Sequence, residues 1–339
     1  MKRVGNLWGK IVSIENLQLA DEKARKGKAH SWGVQVHDRR RDRNILDLHE
    51  MLVNKTFHTS KYETFIIHEP KERLIFRLPY FPDRIVHHAV MNIMEDIWVG
   101  IFTKDTYSCI KDRGIHAAAM AVRRALKKDP EGTKYCLKID IRKFYPSIDH
   151  QTLKDIIRRK VKDPDLLWLL DEIIDSADGV PIGNYLSQYF ANLYLTYFDH
   201  WIKEVKRVKY YFRYADDMVF LASNKADLQS LLIDVRRYLR DNLKLTVKRN
   251  FQVFPVDSRG IDYVGYVFRH SHTMMRKDIK KNMCRRVARL RKIMRRKEVK
   301  PKTFRQQIAA WWGWCKYCDS RHFVKKILSG LPYEIKFKY

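Results

Sequence analysis

Residues 210–222 read YYFRYADDMVFLA. Apolar and aromatic runs lie on both sides of Ala215-Asp216-Asp217, and two such runs around so short a break are the sequence form of a β-hairpin. The spacing predicts two strands with a pair of carboxylates at the tip. An Asp-Asp pair alone occurs in many proteins, so its meaning depends on what surrounds it.

Upstream, Tyr135-Cys-Leu-Lys-Ile-Asp-Ile places Tyr135, Leu137, Ile139 and Ile141 in alternation. That period predicts a strand with Lys138 and Asp140 together on the other face, which puts a third carboxylate at a strand end. Gly179 to Tyr197 begins as a Gly/Pro turn and continues as a helix rich in small and aromatic residues. Leu243–Val247 and Ile261–Phe268 read as further strands. Residues 1 to about 134 read as helical and basic, interrupted by a hairpin from Thr64-Phe-Ile-Ile-His to Arg73-Leu-Ile-Phe-Arg. Ile115 to Lys127 is Ala-rich and predicts a helix. After about residue 271 the pattern is helical and strongly basic, with almost no acids to balance it, which favours a phosphate-contacting surface over a merely solvated face. The mixture predicts an α+β fold.

The 339 residues exceed one small core and imply two or three subdomains. Hydrophobic residues at 45% argue for a folded chain. Lys and Arg number 68 against 39 acids, a net charge of +29. A small-molecule enzyme has no use for such a field, so the expected partner is a polyanion, nucleic acid ahead of an acidic membrane. No apolar stretch approaches the roughly 20 residues of a membrane span. The apolar run of Met1–Val12 is broken by Asn6, Gly9 and Lys10, so the expectation is a cytoplasmic protein with no membrane partner. The 5 cysteines suggest reduced thiols. Cys315 and Cys318, with His322, lack the second pair a zinc site would want, and helical spacing on an apolar face accounts for them.

Taken together, a strand-borne Asp140 and a hairpin-borne Asp216-Asp217 in so basic a chain match two-metal phosphoryl transfer. Two Mg²⁺ ions about 3.5 to 4 Å apart need shared carboxylates, hard oxygen ligands and a rigid scaffold.

With these residues in view, YADD at Tyr214–Asp217 resembles the signature of reverse transcriptases. LKIDIRKFYPSID (Leu137–Asp149) resembles the first palm motif of that family, and GVPIGNYLSQYFANLYL (Gly179–Leu195) the second. LKLTVKR and GIDYVGYVF follow in the order of the fourth and fifth. Fingers (PKERLIFRLPYFPDRIVHH) and thumb (AAWWGWCKYCDSRH) segments extend the resemblance over nearly the whole chain. It implies a right-hand polymerase: fingers at 1–110 and 150–180, palm at 111–149 and 181–270, basic helical thumb at 271–339. The PIGxxxSQxxAN pattern and the SRGIDYVGY segment are similar to the enzymes of diversity-generating retroelements, found in bacteria and phages. Those enzymes copy a template RNA into cDNA with errors at adenines. The NAxxH and VTG signatures of retron enzymes are absent, and the length is expected to exclude the maturase and endonuclease extensions of group II intron proteins.

The resemblance implies that Asp140 and Asp216 bind two Mg²⁺ ions, that Asp217 completes the site and that the Ile141 carbonyl is a further ligand. Tyr145 falls where the family places the aromatic that excludes a 2′-hydroxyl; a core tyrosine at a strand end is the alternative. Lys71 and Arg73 fall on the hairpin that grips triphosphate and template base, or on a solvated strand face. Ile182, Gly183 and Gln188 would lie at the nascent pair, with Ile182 where most relatives have glutamine. Lys244 or Lys248 would be the acid that protonates pyrophosphate, or plain surface lysines. Arg276, Lys277, Lys280, Lys281, Arg285 and Arg286 would hold template RNA and the cDNA/RNA hybrid. The implied partners are dNTPs and a small basic accessory helical-bundle protein. The rival readings are another bacterial reverse transcriptase, such as an antiphage defence enzyme, and a non-catalytic RNA-binding scaffold.

Overall fold

A computed structural model describes residues 2–68, 72–296, 300–329 and 331. Two compact units emerge. One comprises Met1–Lys104, Ile141–Val205 and Arg236–Val247, and the other Asp105–Asp140, Lys206–Val235 and Lys248–Tyr339.

The first unit is helical apart from one hairpin, β1 (Glu63–Ile67) and β2 (Arg73–Arg77), paired Ile67 with Arg73. Its helices begin where short polar residues cap them. Ser13 accepts the Asn16 N–H at the start of Ile14–Ala24, Asp149 the Thr152 N–H before His150–Arg158, and Asp163 the Leu166 N–H before Pro164–Asp175. The Tyr185–His200 helix carries buried residues on nearly every side, which makes it a central pillar of this unit. A buried ionic node joins other elements. Asp21 is fully buried and meets Arg25 at 2.7 Å, Arg41 at 2.6 Å and the Tyr80 hydroxyl at 2.5 Å.

The second unit contains a four-stranded antiparallel sheet ordered β4-β5-β3-β6, built from β3 (Tyr135–Asp140), β4 (Tyr210–Tyr214), β5 (Asp217–Ala222) and β6 (Gln252–Pro255). The Ile115–Lys128 helix packs its alanines and Val122 into the same core as Val219, Leu221 and Cys136. A three-stranded sheet follows: β7 (Ile261–Tyr263), β8 (Tyr266–Phe268) and β9 (Thr273–Met275). The helices Lys277–Met294, Pro301–Cys315 and Arg321–Leu328 complete the unit. Trp311, Trp312 and Trp314 pack against its core. Cys318, in the turn after the Pro301–Cys315 helix, donates its thiol to the Trp314 carbonyl at 3.6 Å, Cys315 lies buried against Met283, and His322 is exposed on the Arg321–Leu328 helix, so the trio does not share the one helical face that the spacing suggested.

Three sequence expectations change. Leu243–Val247 is not a strand. The Lys225–Leu243 helix ends there, with Lys244 at φ 52° and the Leu245 N–H returning to the Leu239 carbonyl, a left-handed cap that absorbs the alternating leucines. Only Val247 pairs, with Ile141. Ile261–Phe268 is a tight hairpin of two strands, because Val264 and Gly265 both take positive φ. Thr273–Met275, read as the edge of the basic helical region, is the outer strand of that sheet. Among the described residues, no helix is long and apolar enough to cross a membrane.

Candidate active site

Antiparallel register brings the three carboxylates together. Asp140, the last residue of β3, stands directly opposite Asp217, the first residue of β5, a distance of about 5 Å between their β-carbons. Tyr214 pairs with Asp217, so Ala215 and Asp216 alone form the loop. Ala215 takes φ 53°, as the first loop residue of a tight hairpin with the right twist must. Arg213, wholly buried, sends one guanidinium nitrogen to the Ala215 carbonyl at 3.1 Å and another to the Thr106 hydroxyl at 3.4 Å. It clamps the loop from beneath and thereby fixes the direction of Asp216.

Burial, and then the neighbouring Asp140 carboxylate, push the Asp216 pKa up to about 7. Burial pushes Asp217 up to about 6 against the pull of Lys138. Anionic carboxylates crowded this way are costly unless cations share them. Two lysines supply part of that charge: Lys248 Nζ lies 2.5 Å from Asp140 Oδ2, and Lys138 Nζ 3.4 Å from Asp217 Oδ2. Lys138 also donates to the Asp262 carbonyl, and the Asp262 carboxylate holds Arg276 at 2.5 Å. Asp140 Oδ1 and Asp217 Oδ1 remain buried without a hydrogen-bond partner among the described residues. Two orphaned hard oxygens beside a third carboxylate are the donor set that Mg²⁺ takes, since it uses one or two carboxylates and fills its other positions with water and substrate phosphate. Among the described residues, no group of three or more His, Cys, Asp or Glu side chains is gathered closely enough to hold a metal ion, so the three carboxylates lie near one another without forming a ready-made cage.

The family described as reverse transcriptase (RNA-dependent DNA polymerase) matches residues 67–268, which include all three aspartates and both hairpins that carry the motifs. The chain belongs to the reverse transcriptase family. Its mixture of helices and antiparallel sheet is that of a right-hand polymerase fold. Among curated relatives, Protein YkfC of Escherichia coli K12 is 23% identical over 233 residues, covering 56% of this chain and 61% of that protein. The group II intron-encoded protein LtrA of Lactococcus lactis is 26% identical over 140 residues, covering 38% of this chain and 23% of LtrA. This reverse transcriptase therefore spans less than two thirds of either relative. An apo telomerase structure from Candida tropicalis is similar at a TM-score of 0.47 with 13% identity, covering 63% of this chain and 48% of that one.

The other expected site residues of this reverse transcriptase fall in several places. Ile141 follows Asp140 directly and is fully buried. Tyr145 is half-buried in a short helical turn, and its carbonyl accepts the Val180 N–H at 2.9 Å. Gly179, at φ 60°, passes so near that a β-carbon would lie 2.6 Å from the Tyr145 carbonyl oxygen. The Tyr145 turn and the Gly179–Val180 loop are thus locked together through their backbones within the first unit. Ile182 accepts the Phe76 N–H at 2.8 Å and joins β2 to the same loop. Gly183, at φ 127°, presses against the Phe76 carbonyl where no β-carbon fits. Gln188 is exposed on the Tyr185–His200 helix. Arg73 is exposed on β2, and Lys71 lies outside the described residues.

The two motif lysines part company. Lys244 pairs with Asp149 at 2.8 Å in the first unit, where it helps hold the cap of the His150–Arg158 helix, whereas Lys248 sits on Asp140. In the basic helix, Lys277, Lys280, Lys281 and Arg285 are exposed. Arg276 precedes that helix and is committed to Asp262, and Arg286 is half-buried with an unpartnered Nε. Sequence reasoning passed over Lys138 and Arg213. Lys138 shared a strand face with Asp140 and was legible from the alternation; nothing in the sequence marks Arg213 as buried.

Proposed function

We propose that this chain is an RNA-directed DNA polymerase that copies a template RNA by two-metal nucleotidyl transfer, in the service of a diversity-generating retroelement. The observation that carries the polymerase reading is the trio of Asp140 and Asp217 on facing strands and Asp216 in the adjoining loop, with two orphaned carboxylate oxygens. In this reading 1–110 and 150–180 are the fingers, 111–149 and 181–270 the palm, and 271–339 the thumb. Asp140 and Asp216 would hold the two Mg²⁺ ions, Asp217 would complete the set and the Ile141 carbonyl would add a ligand. When bound, the ions supply Lewis-acid stabilisation of the attacking 3′-hydroxyl and of the leaving pyrophosphate.

The remaining work belongs to the chain. Lys248, whose Nζ lies 2.5 Å from Asp140, is the motif lysine that passes a proton to the departing pyrophosphate. Tyr145 occupies the room a 2′-hydroxyl would need. Arg73, with Lys71, meets the triphosphate, while Ile182, Gly183 and Gln188 border the new base pair. Lys277, Lys280, Lys281 and Arg285, with Arg276 and Arg286 behind them, bind the phosphates of the template and the cDNA/RNA hybrid. The small basic accessory protein joins through RNA, since two cationic surfaces repel unless a polyanion bridges them. The enzyme acts in the cytoplasm.

The mutagenic reading leans on Ile182, which offers bulk where an amide would test the geometry of the forming pair. One such hydrogen bond contributes about 1 kcal/mol, roughly a fivefold effect.

The test is primer extension on an RNA template with Mg²⁺. Asp216→Asn and Asp217→Asn should each lower dNTP incorporation by more than roughly 10³-fold, because several kcal/mol of transition-state stabilisation are lost, with template affinity nearly unchanged. Near-normal extension by both variants would refute the assignment. Sequencing of the cDNA tests the finer claim. Errors concentrated opposite template adenine, and lowered there by Ile182→Gln, support the diversity-generating reading; an even spread of errors removes it.

A further inference from the structure

His150 opens the His150–Arg158 helix and is half-buried. Both of its ring nitrogens face oxygens that accept and cannot donate. Nδ1 lies 3.1 Å from the Asp175 carboxylate, and Nε2 lies 2.8 Å from the Gly179 carbonyl. A neutral imidazole has one N–H, so the two bonds exist together only when both nitrogens carry hydrogen. In this arrangement the ring is an imidazolium. A cation on the first residue of a helix opposes the helix dipole, and the Asp175 carboxylate offsets that cost. The other charged groups beside it are engaged with one another: Lys154 meets the second oxygen of Asp175 at 2.5 Å, and Asp149 holds Lys244 at 2.8 Å. Asp178, one residue before Gly179, is exposed.

The Gly179 carbonyl and the Val180 N–H belong to one peptide group, which is planar and trans. His150 holds its oxygen, and the Tyr145 carbonyl holds its N–H at 2.9 Å. The plane turns as a unit, so a peptide released at the oxygen tilts at the nitrogen too. Gly179 is buried, which makes water a poor replacement for a missing donor. The close approach of Gly179 to the Tyr145 carbonyl and to Pro146 blocks movement toward the Tyr145 turn but not away from it. The two hydrogen bonds on the peptide oppose that second movement. All of these residues lie in the first unit.

We infer that His150 is a positioning residue for sugar selection: as an imidazolium it fixes the Gly179–Val180 peptide, and through that peptide the turn that carries Tyr145. The inference rests on the reading that Tyr145 excludes a 2′-hydroxyl. When the ring loses one proton, the other goes to Asp175, because the charge-assisted bond is the stronger. The Gly179 carbonyl then faces a lone pair. Discrimination therefore weakens as pH rises through the range in which histidine titrates.

Single-nucleotide incorporation on an RNA template gives the ratio of dNTP to rNTP use, in which the pH dependence of the shared chemical step cancels. His150→Gln places an amide nitrogen near the position of Nε2 and keeps the donor to Gly179. His150→Asn places one near Nδ1 and loses that donor. The ratio should fall at least roughly threefold in His150→Asn and stay within about twofold of the parent in His150→Gln. Between roughly pH 6 and 8.5 the parent ratio should fall by about threefold, while that of His150→Gln stays level. Amide exchange at Val180, followed by fragment mass spectrometry without nucleotide or metal, should accelerate roughly fivefold in His150→Asn and little in His150→Gln. Equal ratios in the parent and His150→Asn overturn the proposal, as do equal losses in both variants or a parent ratio that ignores pH. Tyr145→Val in the same assay separates this claim from the reading beneath it. If Tyr145→Val shifts the ratio and His150→Asn does not, the Tyr145 assignment stands and the positioning role falls. If Tyr145→Val leaves the ratio unchanged, the Tyr145 assignment fails and sugar selection by His150 falls with it; faster Val180 exchange in His150→Asn then locates the error at the ring and not at the loop contact.

Discussion

At the scale of single residues, the backbone around Tyr145 bears on the role proposed for its side chain. Its carbonyl is bound by Val180, and Gly179 approaches so closely that the turn has no room to shift. The ring is therefore carried on a rigid mount, next to Phe144 at 5.5 Å. Rigid placement is what steric exclusion of a 2′-hydroxyl needs, because a mobile ring would yield to it. Tyr145→Val is expected to raise ribonucleotide use relative to dNTP use by roughly tenfold or more, equivalent to about 1.4 kcal/mol of lost discrimination. Single-nucleotide incorporation with paired dNTP and rNTP titrations measures this, and an unchanged ratio would make Tyr145 a packing residue.

At the scale of elements, the β1–β2 hairpin depends on one glycine. Gly183 occupies a φ of 127° against the Phe76 carbonyl, and the adjacent Ile182 carbonyl accepts the Phe76 N–H. Gly183→Ala meets both a backbone clash and a strained φ, so it should cost about 2 kcal/mol or more and loosen the hairpin. Hydrogen exchange at Phe76 should accelerate in the variant; protection equal to that of the parent would show that the contact is unimportant.

The Asp21 node joins elements in a different way. Burial alone would raise the pKa of its carboxyl, but His37, Tyr80, Arg25 and Arg41 together hold it well below the usual carboxylate range. A pKa depressed on folding contributes stability that is fully present above the unfolded value near 4 and is lost as pH falls below it. Asp21→Asn should therefore lower stability at pH 7 by about 3 kcal/mol, since it leaves two guanidinium groups facing a neutral partner. The gap to the parent should narrow below pH 4. Thermal melts of both proteins from pH 7 to pH 3 check the sign, and a gap independent of pH would contradict it.

For the whole molecule, charge is the governing property. A net +29, with Lys277, Lys280, Lys281 and Arg285 exposed on one helix, implies many simultaneous phosphate contacts. Each contact with single-stranded nucleic acid contributes a slope of roughly −0.7 to log K against log salt. Template affinity is expected to fall at least roughly a hundredfold between 50 and 200 mM salt. Replacing Lys277, Lys281 and Arg285 by Gln should flatten the slope by about two. A shallow titration in the parent would mean that the basic surface serves some other ligand.

The sequence by itself determined the polymerase family, the β1–β2 and β4–β5 hairpins and the three carboxylates, because alternation of apolar residues dictates which side chains share a strand face and where a tight turn must fall. Lys138 beside Asp140 was readable for the same reason. Tertiary structure alone decided what long-range contacts decide. Arg213 became a buried clamp, Lys248 went to Asp140 and Lys244 to Asp149, and the Leu243–Val247 alternation went to a helix cap instead of a strand. Burial and partner choice depend on residues distant along the chain, and periodicity carries no information about them.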